Sequence, residues 1–201
     1  MYDMTDVFEC VKCGYKNTVG APACDRCSWP FSIKRWRLTN FKIHRLTIDT
    51  GCINAKRKDP DLNKLEDWKT QELLKVEIAF VLLKELKGEN RLKKAQQTDS
   101  HPGLFILGAS ALSGGNVLAG PNIPTVLRQI LFPTVSSLNT RQENDVEHLR
   151  AHIQVGADVF VTKNTADFIK NGKQQQLASI GVWVFQPSEL VSLLKELYKW
   201  D

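Results

Sequence analysis

Two Cys-x-x-Cys pairs, Cys10-Val11-Lys12-Cys13 and Cys24-Asp25-Arg26-Cys27, stand ten residues apart at the start of the chain, and no other feature limits its fold so sharply. Each pair turns two sulfurs toward one point. The stretch between them has Gly14, Gly20 and Pro22 in place of helical periodicity, so it forms a loop that lets the pairs face each other. A module of about 30 residues has too little core to fold unaided, which makes a structural metal the expected staple. Tetrahedral zinc on Cys10, Cys13, Cys24 and Cys27 is the reading this spacing favours, with a redox dithiol or an iron–sulfur centre as alternatives. Met1 to Glu9 lacks the basic-then-apolar order of a signal peptide, and no apolar run approaches the roughly 18 residues a membrane helix needs. The expected location is therefore the cytoplasm, away from membranes, where thiols stay reduced and disulfides are a poor use of the 5 Cys.

After the cysteines the logic changes. The chain has 201 residues, 42% of them hydrophobic, which accommodates one compact domain plus a small satellite and excludes wholesale disorder. Residues 1–31 are expected to form the zinc module, 32–44 a basic linker and 45–201 the main domain. Residues 34 to 45 carry Lys34, Arg35, Arg37, Lys42 and Arg45 with no acid, and Lys56, Arg57 and Lys58 form a second basic knot, so a polyanion is a reasonable partner of a chain whose net charge is +5. From His44 onward strand-like and helix-like runs alternate, which predicts an α/β domain with a mainly parallel sheet flanked by helices. Arg45 to Ile48, Val159 to Val161 and Val182 to Phe185 read as strands. Asp59-Pro60 opens a helix with Leu62, Leu65 and Trp68, and a last helix follows Pro187. Leu74 to Ile78 reads either as a strand or as the start of a helix that includes Phe80 to Leu86, and periodicity does not separate these. A further helix opens at or before Asn144, carries Val146, Leu149 and Ile153 on one face and ends at Gly156.

Within that frame Asp49 follows a strand directly, at the carboxyl end where open parallel sheets bind ligands. Asp145 borders the apolar face of its helix, in the expected first turn, where the helix dipole favours negative charge. A third polar group, Thr162-Lys163-Asn164-Thr165-Ala166-Asp167, follows another strand. Two strand ends and a helix start are thus expected to converge on a cleft.

These residues carry a resemblance. Ile48-Asp49-Thr50 matches the opening motif of PIN domains, the metal-dependent ribonuclease fold shared by VapC toxins, and Asp145 to Phe168 is similar to its closing motif, with Gly156-Ala157-Asp158 and Thr162 in register. The resemblance implies a second acid on a helix at Leu83-Lys84-Glu85-Leu86, with Glu77 in reserve. It also implies Mg²⁺ or Mn²⁺ held by Asp49, Glu85 and Asp145. Gly51 stands where such domains have Asn or Ser, and Asn164 stands in place of the final motif's aspartate, with Asp167 as its substitute. The N-terminal spacing, Phe8-x-Cys10-x2-Cys13-x3-Asn17-x6-Cys24-x2-Cys27, resembles zinc fingers of the nuclear-pore Ran-binding-protein type, some of which bind single-stranded RNA and others ubiquitin; a generic zinc ribbon suits it equally.

Phosphodiester hydrolysis needs an activated water and a counter-charge for the phosphorane, and divalent ions on clustered carboxylates supply both. The expectation is an endoribonuclease with Asp49, Glu85, Asp145, Asp167, Asn164 and Thr162 in its catalytic site. Lys34, Arg35, Trp36 and Arg37 are expected to bind RNA, the tryptophan by stacking. The competing expectation is an inert PIN-like scaffold that binds nucleic acid or protein. A cognate antitoxin and a homodimeric state are compatible with either. His148 and His152 read as partly exposed helix residues, Cys52 as a small core residue, and Gly108 to Gly115 lacks the Lys-Ser/Thr of a phosphate-binding loop.

Overall fold

The structure, a computed structural model, describes residues 7–10, 15–18, 21, 23–26, 43–55, 59–79, 99–101 and 123–200. At the N-terminus, strands β1 (Val7–Glu9) and β2 (Lys16–Thr18) pair antiparallel. The Cys10 N–H donates to the Tyr15 carbonyl at 2.8 Å, so the first cysteine is tied to the start of β2. Asn17 is buried and links two segments: its Nδ2 donates to Tyr15 O at 2.8 Å and its Oδ1 accepts from Asp25 N at 3.0 Å. Cys10 and Cys24, one from each pair, are both buried; Cys13, Cys27 and the linker residues Lys34, Arg35, Trp36 and Arg37 lie outside the described residues.

The main body is a five-stranded, all-parallel sheet. Its strands are β3 (Arg45–Ile48), β4 (Lys75–Ala79), β5 (Asp99–His101), β6 (Val159–Val161) and β7 (Val184–Phe185), in spatial order β5-β4-β3-β6-β7. Leu74 to Ile78 thus resolves as strand: β4 lies beside β3 in register from Arg45↔Lys75 to Ile48↔Ile78. The last strand is shorter than the sequence suggests, although Trp183 O still accepts from Phe160 N at 2.8 Å.

Helices cover both faces. α1 (Thr50–Ala55) follows β3 directly, and α2 (Pro60–Thr70) starts where the Asp59 side chain accepts from Asp61 N and Leu62 N, with Pro60 in the first turn. α3 (Ile123–Leu131), α4 (Thr140–Val155), α5 (Thr165–Phe168), α6 (Lys173–Ser179) and α7 (Pro187–Tyr198) complete the described set. One apolar layer joins Leu46, Ile48, Val76 and Ile78 to Leu62, Leu65 and Trp68 of α2 and Leu190 and Leu194 of α7. The other gathers Phe160 and Val184 with Leu127, Leu131, Leu149, Phe168 and Leu177. The stretch from Phe80 to Leu86, expected to be helical, lies outside the described residues.

α4 corrects the sequence reading in one respect that matters for chemistry. A reciprocal capping box of Asn139 and Gln142 starts the helix at Thr140, so Asp145 sits in the second turn and not the first. The Asn139 side chain accepts the Gln142 N–H at 3.0 Å in that first turn, and Asp145, a turn further on, gains little from the dipole there. Gly156, at φ 64°, ends the helix in the left-handed conformation that glycine adopts without strain.

Candidate functional site

The register of β3 against its neighbours delivers the site. Asp49 N–H donates to Val161 O at 2.9 Å, so the first acid is fixed at the carboxyl end of the sheet, where β3 and β6 lie side by side. Thr162, fully buried at the end of β6, donates its hydroxyl to Asp49 Oδ2 at 2.7 Å and accepts the Asn164 N–H at 2.9 Å. His148 Nδ1 stands 3.4 Å from Asp49 Oδ1. Burial pushes the Asp49 carboxyl up, but His148, the Thr162 hydroxyl and the Thr50 N–H together outweigh it and hold the acid below its ordinary value.

Asp145 behaves in the opposite way. It is 6% exposed, and its Oδ2 is a buried oxygen without a hydrogen-bond partner. Burial, then the charges of Asp167 and Asp49, push its carboxyl up to about 7, against weaker opposing effects of His148 and Arg141. Asp167 reaches the same place from the short helix α5. Asn164 caps that helix by accepting the Asp167 N–H at 3.3 Å, while its Nδ2 donates to Asp167 Oδ2 at 2.8 Å. Arg141, on the exposed first turn of α4, approaches the same oxygen at 3.5 Å. The amide at position 164 thus orients the carboxylate three residues on.

Asp145 therefore feels the charges of two further sequence-predicted acids, Asp49 and Asp167, which are bonded in turn to Thr162 and Asn164. Glu85 lies outside the described residues. Among the described residues, no three His, Cys, Asp or Glu side chains form a group able to hold a metal ion by themselves. Glu77, the reserve candidate, is occupied elsewhere. It is fully buried, with Arg45 Nη2 at 3.2 Å and Lys75 Nζ at 2.8 Å neutralising its carboxylate. Arg45 is thereby also withdrawn from the basic stretch it belongs to in sequence; its Nη1 donates to Val155 O at 3.0 Å. Asp158, of the Gly-Ala-Asp run, accepts from His44 N and Arg45 N at 2.9 and 3.0 Å and fastens the start of β3.

The histidines are the main correction. His148 and His152 are 2% and 3% exposed, not partly exposed helix residues. With Asp145 they form a stripe at positions 0, +3 and +7 that runs beside the apolar stripe Val146, Leu149 and Ile153, so α4 is buried on both. The polar stripe faces β3, where His152 Nδ1 meets Thr47 Oγ1 at 2.7 Å. The signal that identifies such a stripe is its identical spacing to the apolar one, which a reading of polarity alone assigns to solvent. Cys52 is buried, with its thiol pushed up to about 12 by burial and by Asp49, so it is no nucleophile. A Cβ at Gly51 would lie 3.6 Å from Asp49 Oδ2, so a Ser or Asn there would reach the first acid. Beside Thr162, Lys163 pairs with Asp59 at 2.6 Å.

No protein-family model, curated protein or solved structure matches the chain. Among the described residues no helix is long and apolar enough to cross a membrane.

Proposed function

We propose that the chain is a metal-dependent endoribonuclease with a PIN-like main domain. The observation that carries this reading is the Asp145 carboxylate, buried with one oxygen lacking a hydrogen bond and facing the charges of Asp49 and Asp167. Burying an acid beside two others is unfavourable unless a proton or a cation offsets its charge, and an all-oxygen donor set suits a hard ion such as Mg²⁺ or Mn²⁺. Asp49 and Asp145 would hold it together with Glu85, and Asp167 would stand in for the final motif's aspartate. When bound, such an ion supplies an activated water and a counter-charge for the phosphorane. Thr162 and His148 keep the Asp49 carboxylate oriented, Asn164 does the same for Asp167, and Asp145 gives up the proton it retains near neutral pH when the ion enters.

The N-terminal residues fit the same reading: the Cys10–Tyr15 hydrogen bond, the bridging Asn17 and the burial of Cys10 and Cys24 suit a zinc module completed by Cys13 and Cys27. That module and the basic run Lys34, Arg35, Trp36 and Arg37 would hold an RNA strand by phosphate contacts and stacking. A cytoplasmic setting suits these thiols, and an antitoxin or a second copy of the chain remains a compatible partner. Asn164 favours a second reading, a PIN-like scaffold that binds without cutting, because the amide lowers the negative charge available to a cation. Incubating single-stranded RNA with the protein and Mn²⁺ tests the choice: the nuclease cuts, chelation stops it, and Asp49→Asn abolishes it. A wild-type protein that leaves RNA intact, while Asn164→Asp cuts, would establish the scaffold.

A further inference from the structure

The face of β3 that carries Asp49 is buried against α4 by one contact per sheet residue. Arg45 Nη1 donates to Val155 O, Thr47 Oγ1 meets His152 Nδ1 and Asp49 Oδ1 meets His148 Nδ1, so helix and strand run antiparallel with a polar seam between them. A buried imidazole is costly beside what a Leu would contribute at a position packed on all sides. The ring stands against the first acid, with Nδ1 3.4 Å from Asp49 Oδ1. Thr162 grips the other oxygen of that acid from β6. Asp145 lies one turn before His148 on the same helix, so the contact that orients Asp49 also sets where Asp145 stands relative to it.

Resting on the metal-centre reading above, we propose that His148 is a positioning residue: it fixes Asp49 Oδ1 and thereby the placement of the Asp49 and Asp145 carboxylates around a divalent cation. Partners of this kind behind the ligands are worth roughly 10- to 100-fold in metal affinity. His152, whose Nδ1 meets Thr47 Oγ1 one turn further along α4, provides the internal control.

The test is calorimetric titration of the full chain with Mn²⁺. His148→Leu, which roughly keeps volume and removes the ring nitrogen that faces Asp49 Oδ1, weakens binding at least ~10-fold. His148→Asn, whose amide nitrogen falls near the Nδ1 position, recovers most of the loss, and His152→Leu lowers stability while leaving Mn²⁺ affinity at the wild-type value. If His148→Leu does not fold, His148→Gln, whose amide reaches past the Nδ1 position, takes its place with the same loss expected. Wild-type affinity in the His148 variants, or an equal loss in His152→Leu, overturns the proposal and leaves the metal centre standing. A wild-type chain that binds no Mn²⁺ overturns the metal centre itself.

Discussion

Strand β3 presents two buried faces that are solved by different physics. Leu46 and Ile48 point into the layer formed with α2 and α7, where any well-shaped apolar neighbour serves and attraction scales with area removed from water. The partly exposed Arg45 and the buried Thr47 and Asp49 face the seam with α4, where a group that loses water must be given a particular partner: Glu77 and Val155 O meet Arg45, His152 meets Thr47, and His148 and Thr162 meet Asp49. The apolar face therefore specifies a fold class, and the polar face specifies positions. A site that must hold carboxylates at defined separations belongs on the second.

The contrast is sharpened by substitutions on each side. Leu46→Ala should have the largest effect, a loss of about 2–5 kcal/mol from transfer and cavity terms, read by denaturant unfolding. Asp145→Asn should act in the opposite direction. Its carboxyl is raised from 3.8 to about 7 in the fold. The neutral form is therefore the one the fold favours, and the stability it contributes is fully present below the unfolded value and lost as pH rises through about 7. Asp145→Asn should stabilise the metal-free protein by on the order of a few kcal/mol at pH 8 and by little at pH 4, read by unfolding at the two pH values. Asp49 slopes the other way, since its lowered value contributes stability that is lost as pH falls through it. Thr47→Val should cost the least, about 1–2 kcal/mol for leaving the His152 ring nitrogen without its partner, and unfolding melts at fixed pH measure it.

Much of this was legible before any coordinates, and the exceptions share a cause. The strand before Asp49, the strand before Thr162 and the helices after Asp59 and Pro187 each carry a local signal, a cap or an apolar run, and each is present in the structure. β4 was ambiguous because Leu74 to Ile78 is too short for its period to decide, and because Glu77 owes its burial to Arg45 and Lys75, the first of which is distant in sequence. α3 and α6 gave no usable signal: one emerges from a Gly- and Pro-rich stretch, the other is built on Gln174, Gln175 and Gln176. In the site, Asp49, Asp145, Thr162 and Asp167 were legible from their places after strands and on helices. His148 and His152 were not, because a polar stripe looks solvated until the facing strand is known to offer Asp49 and Thr47.

The central claim is that the buried Asp145 carboxyl, set against the charges of Asp49 and Asp167, exchanges its proton for a cation. Thermal unfolding at pH 8 with and without Mn²⁺ tests it most directly, comparing wild type with the Asp49→Asn, Asp145→Asn double variant. A ligand that binds only the native state at about 100 times its Kd adds roughly 2.7 kcal/mol, so Tm of the wild type should rise clearly with Mn²⁺ and Tm of the double variant should not move. A wild-type Tm indifferent to Mn²⁺, or an equal rise in the double variant, would contradict the account.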